Sequence, residues 1–125
     1  MKKAMIDGKF VRQLANEFMK GNESLYAGIT KPRNGIYVMD RYIMNFDIPL
    51  IIGKITIEVI ASPPDRIKNV SFYIDDELKY IDDDSPYQWL WDGFSIGKHE
   101  IKVIVYDNSG NKAEDRMNVL IFNWM

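Results

Sequence analysis

The run from Lys98 to Asn111, KHEIKVIVYDNSGN, constrains this chain more than any other segment. Ile101, Val103 and Val105 alternate with Lys102, Ile104 and Tyr106, and the run stops on Asp107-Asn108-Ser109-Gly110-Asn111. A period of two places one set of side chains on a single face of an extended chain, and the turn residues then reverse it. The segment reads as a β-strand feeding a tight connection. The rest of the chain must supply partners for its backbone N–H and C=O groups.

The same grammar recurs after residue 35. Ile36–Met39 reads as a strand that Tyr42–Met44 continues, and Ile51–Ala61 as one strand with Ile55, Ile57 and Val59 on a common face. The prolines of Ser62-Pro63-Pro64-Asp65 mark a loop, because proline cannot donate a ladder hydrogen bond. Ile67–Ile74 directs Val70, Phe72 and Ile74 one way, and Asp75-Asp76-Glu77 turns it into a short strand at Leu78–Ile81. Asp82-Asp83-Asp84-Ser85-Pro86 is a second acidic loop, and Tyr87–Trp91 an aromatic strand. Arg116–Phe122 is the last strand, with Met117, Val119 and Ile121 on one face. About seven strands with turn signals between them predict an all-β antiparallel sandwich. No βαβ spacing is present, which argues against a parallel sheet.

The first thirty residues follow another rule. Ile6, Phe10, Leu14 and Phe18 recur every four residues, the stripe of an amphipathic helix, and Gly21-Asn22 would stop it. The expected organisation is an appendage over 1–30, a short helix or linker remnant, and a sandwich over 31–125. An isolated helix of that length is marginal in water. If ordered, it docks on the sandwich or on a partner protein.

Composition narrows the partners. Hydrophobic residues at 46% and charged ones at 27% are ordinary for a globular domain, and 125 residues suffice for a core without metal or disulfide support. A net charge of -2 argues against a nucleic-acid partner, because phosphate binding needs a positive face. Without cysteine there is no thiolate chemistry. No apolar run approaches the roughly 18 residues of a membrane span, and Met1-Lys2-Lys3 is not followed by the apolar core of a signal peptide.

Several phrases resemble an immunoglobulin-like β-sandwich domain of archaeal and bacterial surface and secreted proteins, often a carboxyl-terminal accessory module beside a hydrolase. They are KPRNGIYVMDR (31–41), IIGKITIEV (51–59), IKNVSFYIDDELKYIDDDSPYQWLWD (67–92), GKHEIKVIVYDNSGNKAED (97–115) and VLIFN (119–123). The resemblance covers about residues 25–125. It implies a non-catalytic spacer, adhesive or accessory module of an exported or cell-surface parent, in contact with neighbouring domains or another protein.

Three constellations carry candidate chemistry. His99, the single histidine, stands between Lys98 and Glu100 at the head of a strand, without the nucleophile and orienting acid of a triad in its pattern. Asp75, Asp76 and Glu77 in one turn and Asp82, Asp83 and Asp84 in the next offer oxygen ligands to calcium should the two turns converge. Acidic residues also favour turns for their own backbone bonding, and the spacing is not that of an EF-hand. Paired carboxylates in exposed turns lack the burial and fixed gap of a glycosidase pair. Tyr87, Trp89 and Trp91 share one face of a strand. Exposed, they would stack on a polysaccharide; packed between the sheets, they would be core, the expectation for Trp89 and Trp91 given the area such rings bury.

Overall fold

In a computed structural model of the chain, residues 24–124 are described. They form β1 (Tyr26–Lys31), β2 (Gly35–Val38), β3 (Arg41–Met44), β4 (Pro49–Ile52), β5 (Ile55–Ser62), β6 (Ile67–Ile74), β7 (Glu77–Asp82), β8 (Tyr87–Trp91), β9 (Ser95–Asp107) and β10 (Lys112–Asn123). A single 3-10 turn, Pro64–Arg66, joins β5 to β6. One sheet has the order β1-β5-β8, the other β3-β2-β4-β10-β9-β6-β7. The helical stripe over Ile6, Phe10, Leu14 and Phe18 lies outside the described residues.

Alternation puts the same residues inside that the sequence did. Ile55, Ile57 and Val59 of β5 join Val70, Phe72 and Ile74 of β6, Ile101, Val103 and Val105 of β9, and Val119 and Ile121 of β10 in one buried cluster. Two sheets about 10 Å apart close over these side chains. At roughly 1.5–3 kcal/mol for each large apolar side chain taken from water, this cluster is the main favourable term in folding.

The architecture departs from expectation in three places. First, the described residues form ten strands rather than about seven. The expected strand Ile51–Ala61 is two strands in different sheets, divided at Gly53-Lys54. Gly53 has φ +89, a Cβ on it would lie 2.4 Å from Met39 Sδ, and its N–H donates to Phe122 O at 2.9 Å. Only glycine fits that left-handed bend, and through it the chain crosses from one sheet to the other. Tyr42–Met44 likewise folds back as β3 instead of continuing β2.

Second, β4 pairs parallel to both β2 and β10, so the larger sheet is mixed. The excursion through β3 supplies the first parallel pairing without a helix. Third, the sandwich begins at Tyr26, upstream of the boundary at 31, because β1 pairs with β5 from Tyr26↔Ser62 onward. Ala27 and Ile29 of β1 point inward, and Ile29 N–H donates to Asp115 Oδ2 at 2.9 Å, tying the small sheet to β10.

Candidate functional site

Of the residues singled out for chemistry, Asp75, Glu77, Trp89, Trp91 and His99 line one cleft between β7 and β8, edge strands of the two sheets. β8 pairs with β5 through Val59↔Tyr87, Ile57↔Trp89 and Ile55↔Trp91, so all three rings take the inward face. Trp91 is 4% exposed and belongs to the core. Tyr87 and Trp89 are partly buried against it. The two indoles stack with centroids 6.5 Å apart and planes 13° from parallel, and Trp89 meets Phe72 of the opposite sheet at 6.3 Å. The tryptophans thus close the end of the core as packing predicts, and Trp91 offers no free face to a sugar.

Above them is a cleft of about 380 Å³ lined in part by Asp75, Lys79, Trp89, Asp92, Phe94 and His99. The Asp75 carboxylate holds the wall. Its Oδ2 meets His99 Nδ1 at 2.5 Å, and its Oδ1 accepts the Glu100 N–H at 2.9 Å. Burial acts to raise this carboxyl's pKa, but the Glu100 N–H and the His99 ring outweigh it and hold the group below its ordinary range. Trp91 stands edge-on to the imidazole at 5.8 Å, and His99 Nε2 is buried without a hydrogen-bond partner.

A histidine oriented by an acid is half of a triad, so the third member decides what the cleft can do. Ser95 is the hydroxyl that lines it. It precedes His99 by four residues on β9, about 13 Å at the rise of a strand, and its Oγ donates to Gly93 O. The His99–Asp75 pair therefore lacks a hydroxyl nucleophile at hydrogen-bond reach from Ser95. Its evident work is to brace the β6–β7 turn against β9.

The acidic turns do not meet. Asp75 and Asp76 form the β6–β7 turn with φ of 50° and 66°, the left-handed pair that a two-residue hairpin turn requires and that aspartate tolerates. Asp76 pairs with Lys102 at 2.9 Å. Asp82 lies at the other end of β7, and its carboxylate accepts the N–H groups of Asp84 and Gln88 at 3.1 and 2.9 Å, shaping the β7–β8 loop. Asp83 and Asp84 face solvent. The six residues of β7 separate the turns by about 17 Å, which no single ion spans. The two turns stay apart because β7 is a strand between them, not a shared corner. Among the described residues no group of three or more His, Asp or Glu side chains is placed to hold a metal ion.

Other features were not foreseen. Phe94, 74% exposed on the cleft rim, was hidden by its place in a glycine-flanked loop. Asp107, read as a turn residue, organises the β9–β10 hairpin. Its carboxylate accepts from the Asn111 amide, the N–H groups of Ser109 and Asn111, and Arg66. The Asn111 amide contributes most to holding its pKa far below the carboxylate range, with burial opposing and Arg66 assisting.

Two packed sheets, with the chain crossing from one to the other between β4 and β5, form an immunoglobulin-like sandwich. The sequence profile of the bacterial Ig domain matches residues 27–103, and the chain belongs to that family. Among solved structures it is similar to the fibronectin(III)-like modules of Clostridium thermocellum CbhA, at 24% identity and a TM-score of 0.61, over 80% of this chain and 47% of that one. It is also similar to the Bacteroides ovatus protein SGBP-B, from a mixed-linkage glucan utilization locus, solved with a mixed-linkage heptasaccharide: 17% identity, TM-score 0.50, 80% of this chain and 25% of that one. A Jonesia denitrificans lytic polysaccharide monooxygenase shares the fold at 15% identity and a TM-score of 0.50, over 62% of this chain and 60% of that one. The chain thus spans about half or less of the first and second of these. No curated protein sequence matches it.

Proposed function

We propose that this domain is a folded spacer within a larger exported or cell-surface protein, fixing the distance and orientation of neighbouring domains. The observation that supports the reading most is how the reactive side chains are employed. His99 and Asp75 brace a hairpin, Asp82 and Asp107 shape loops, and Trp91 fills the core. A spacer's work depends on length and stiffness, not on particular surface residues. Replacing the module in its parent protein by an unrelated sandwich of equal length should preserve the parent's activity, whereas deleting it should impair that activity. Failure of the replacement to restore function would refute the spacer reading.

A second reading rests on the cleft between β7 and β8. Partly exposed Trp89 and exposed Phe94 stand beside Asp92 and Lys79, an arrangement suited to one or two sugar rings. Affinity electrophoresis through mixed-linkage glucan separates the two readings. Retardation that Trp89→Ala abolishes would favour the sugar site, and unretarded migration would eliminate it for that polymer.

A further inference from the structure

The outer face of the larger sheet carries an apolar patch that the sandwich does not use. Register places Ile36, Leu50, Leu120 and Lys98 in one row across β2, β4, β10 and β9, and Val38, Ile52, Phe122 and Ile96 in the next. These alternate with inward-pointing Tyr37, Ile51 and Ile121, so both rows face out. Seven of the eight residues are apolar, Lys98 is the one charge, and every one is at least partly exposed. Ile48 extends the patch beside a cavity of about 360 Å³ that it lines with Leu120 and Lys98. The adjoining rows turn polar, with Asn118 opposite Glu100 and Arg116 opposite Lys102. Scattered surface apolar residues need no explanation, but a bordered patch across four neighbouring strands marks an interaction surface.

We propose that the occupant of this patch is the chain's own amino-terminal segment, through Ile6, Phe10 and Leu14 of its apolar stripe, with the chain beyond Leu14, Phe18 included, unwound as the tether. Twenty-three residues precede the described part of the chain, and the stripe is the one strong sequence pattern that the sandwich leaves without a role. Wound as a helix, Ile6 to Leu14 spans about 12 Å at 1.5 Å per residue. The four strands of the patch span about 14 Å at their usual spacing, so the stripe matches its width.

The tether is long enough. Ile29 bonds Asp115, which places Tyr26 three residues further from the patch, and Asp115 is five residues short of Leu120. Eight residues of strand are about 27 Å, and passing from the small sheet to a helix on the outer face of the large one adds about 20 Å across them, a straight path of about 34 Å. The twelve residues from Leu14 to Tyr26 reach up to about 40 Å when extended. Lys9, Arg12 and Lys20 would remain in solvent, while three apolar side chains leave water together with the face they cover.

The absence of cysteine makes the test clean, since a nitroxide attached to the R12C variant of the full chain is the sole label. Arg12 is on the opposite side of the helical wheel from the stripe, so the label does not block docking. The expected result is loss of amide signal intensity at Leu50, Ile52, Leu120 and Phe122, with Thr56 and Glu58 of the other sheet unaffected. Adding Phe10→Asp and Leu14→Asp to the labelled chain should restore those intensities and leave the cooperative unfolding transition in place. Absent or evenly spread intensity loss overturns the proposal. So does equal loss at the same amides when labelled chain is mixed with isotope-enriched unlabelled chain, which would make a second copy the occupant.

Discussion

Phe72→Ala probes the joint between the two sheets. Phe72 is fully buried on the inner face of β6, with Trp89 of the small sheet at 6.3 Å and Tyr80 of β7 at 6.4 Å. Truncation removes a ring from a site where neighbours from both layers meet. The lost transfer free energy and the residual cavity together cost about 3–5 kcal/mol. A domain of this size has about 5–15 kcal/mol in total, so the variant forfeits a large share of it. Tyr80 is the internal control: it pairs with Phe72 on the same face but sits on the edge strand, 45% exposed, so Tyr80→Ala should cost about 1 kcal/mol. Urea titration followed by tryptophan fluorescence reads both, with the midpoint falling and the slope unchanged. A double-mutant cycle of Phe72→Ala with Trp89→Ala should show coupling of about 0.5–1.5 kcal/mol. If Phe72→Ala costs no more than Tyr80→Ala, or the coupling is zero, the two sheets do not share a core through this ring.

Acid should weaken the fold through Asp40 and Asp107. At Asp40 burial acts to raise the pKa, but the Thr56 hydroxyl and N–H and the Lys31 ammonium prevail and hold the carboxyl below its ordinary range; at Asp107 the Asn111 amide leads the lowering. Folded pKa values below the unfolded ones give a contribution fully present above about pH 5 and lost as pH falls through the folded values. Denaturation midpoints measured from pH 7 to pH 2.5 should therefore hold flat and then fall, less steeply in Asp40→Asn; an Asp40→Asn profile as steep as the parent's would contradict this. Millimolar calcium should leave the melting temperature unchanged, because the acidic turns lie at opposite ends of β7; a rise would require a site within one turn.

The inner faces of β5, β6, β9 and β10 were legible because a period of two survives any choice of neighbour. The acidic turns were legible as turns for a similarly local reason. Partner choice is not local. Nothing in Pro49–Ile52 announces that it will lie parallel between β2 and β10, and only the φ of Gly53 separates a continuing strand from a change of sheet. β1 escaped notice because Tyr26–Lys31 contains Gly28 and has just two inward apolar residues, Ala27 and Ile29. The cleft was half legible. The rings were placed on one face correctly, but the meeting of His99 with Asp75, 24 residues apart in sequence, depends on the β6–β9 pairing that tertiary structure supplies. Ile104 and Ser71 show the limit of alternation: they pair on the outward face, with Tyr73 and Tyr106 in the rows on either side, yet both are buried.

Native-state hydrogen exchange on the full chain tests most directly whether the ten strands are one cooperative sandwich built around a shared interior. Amides of β5 in the small sheet and of β6, β9 and β10 in the large one should open with the same, highest free energy, while the edge strand β3 exchanges early. Separate free energies for β5 and for the β6–β9–β10 group would mean that the sheets unfold independently, contradicting the account.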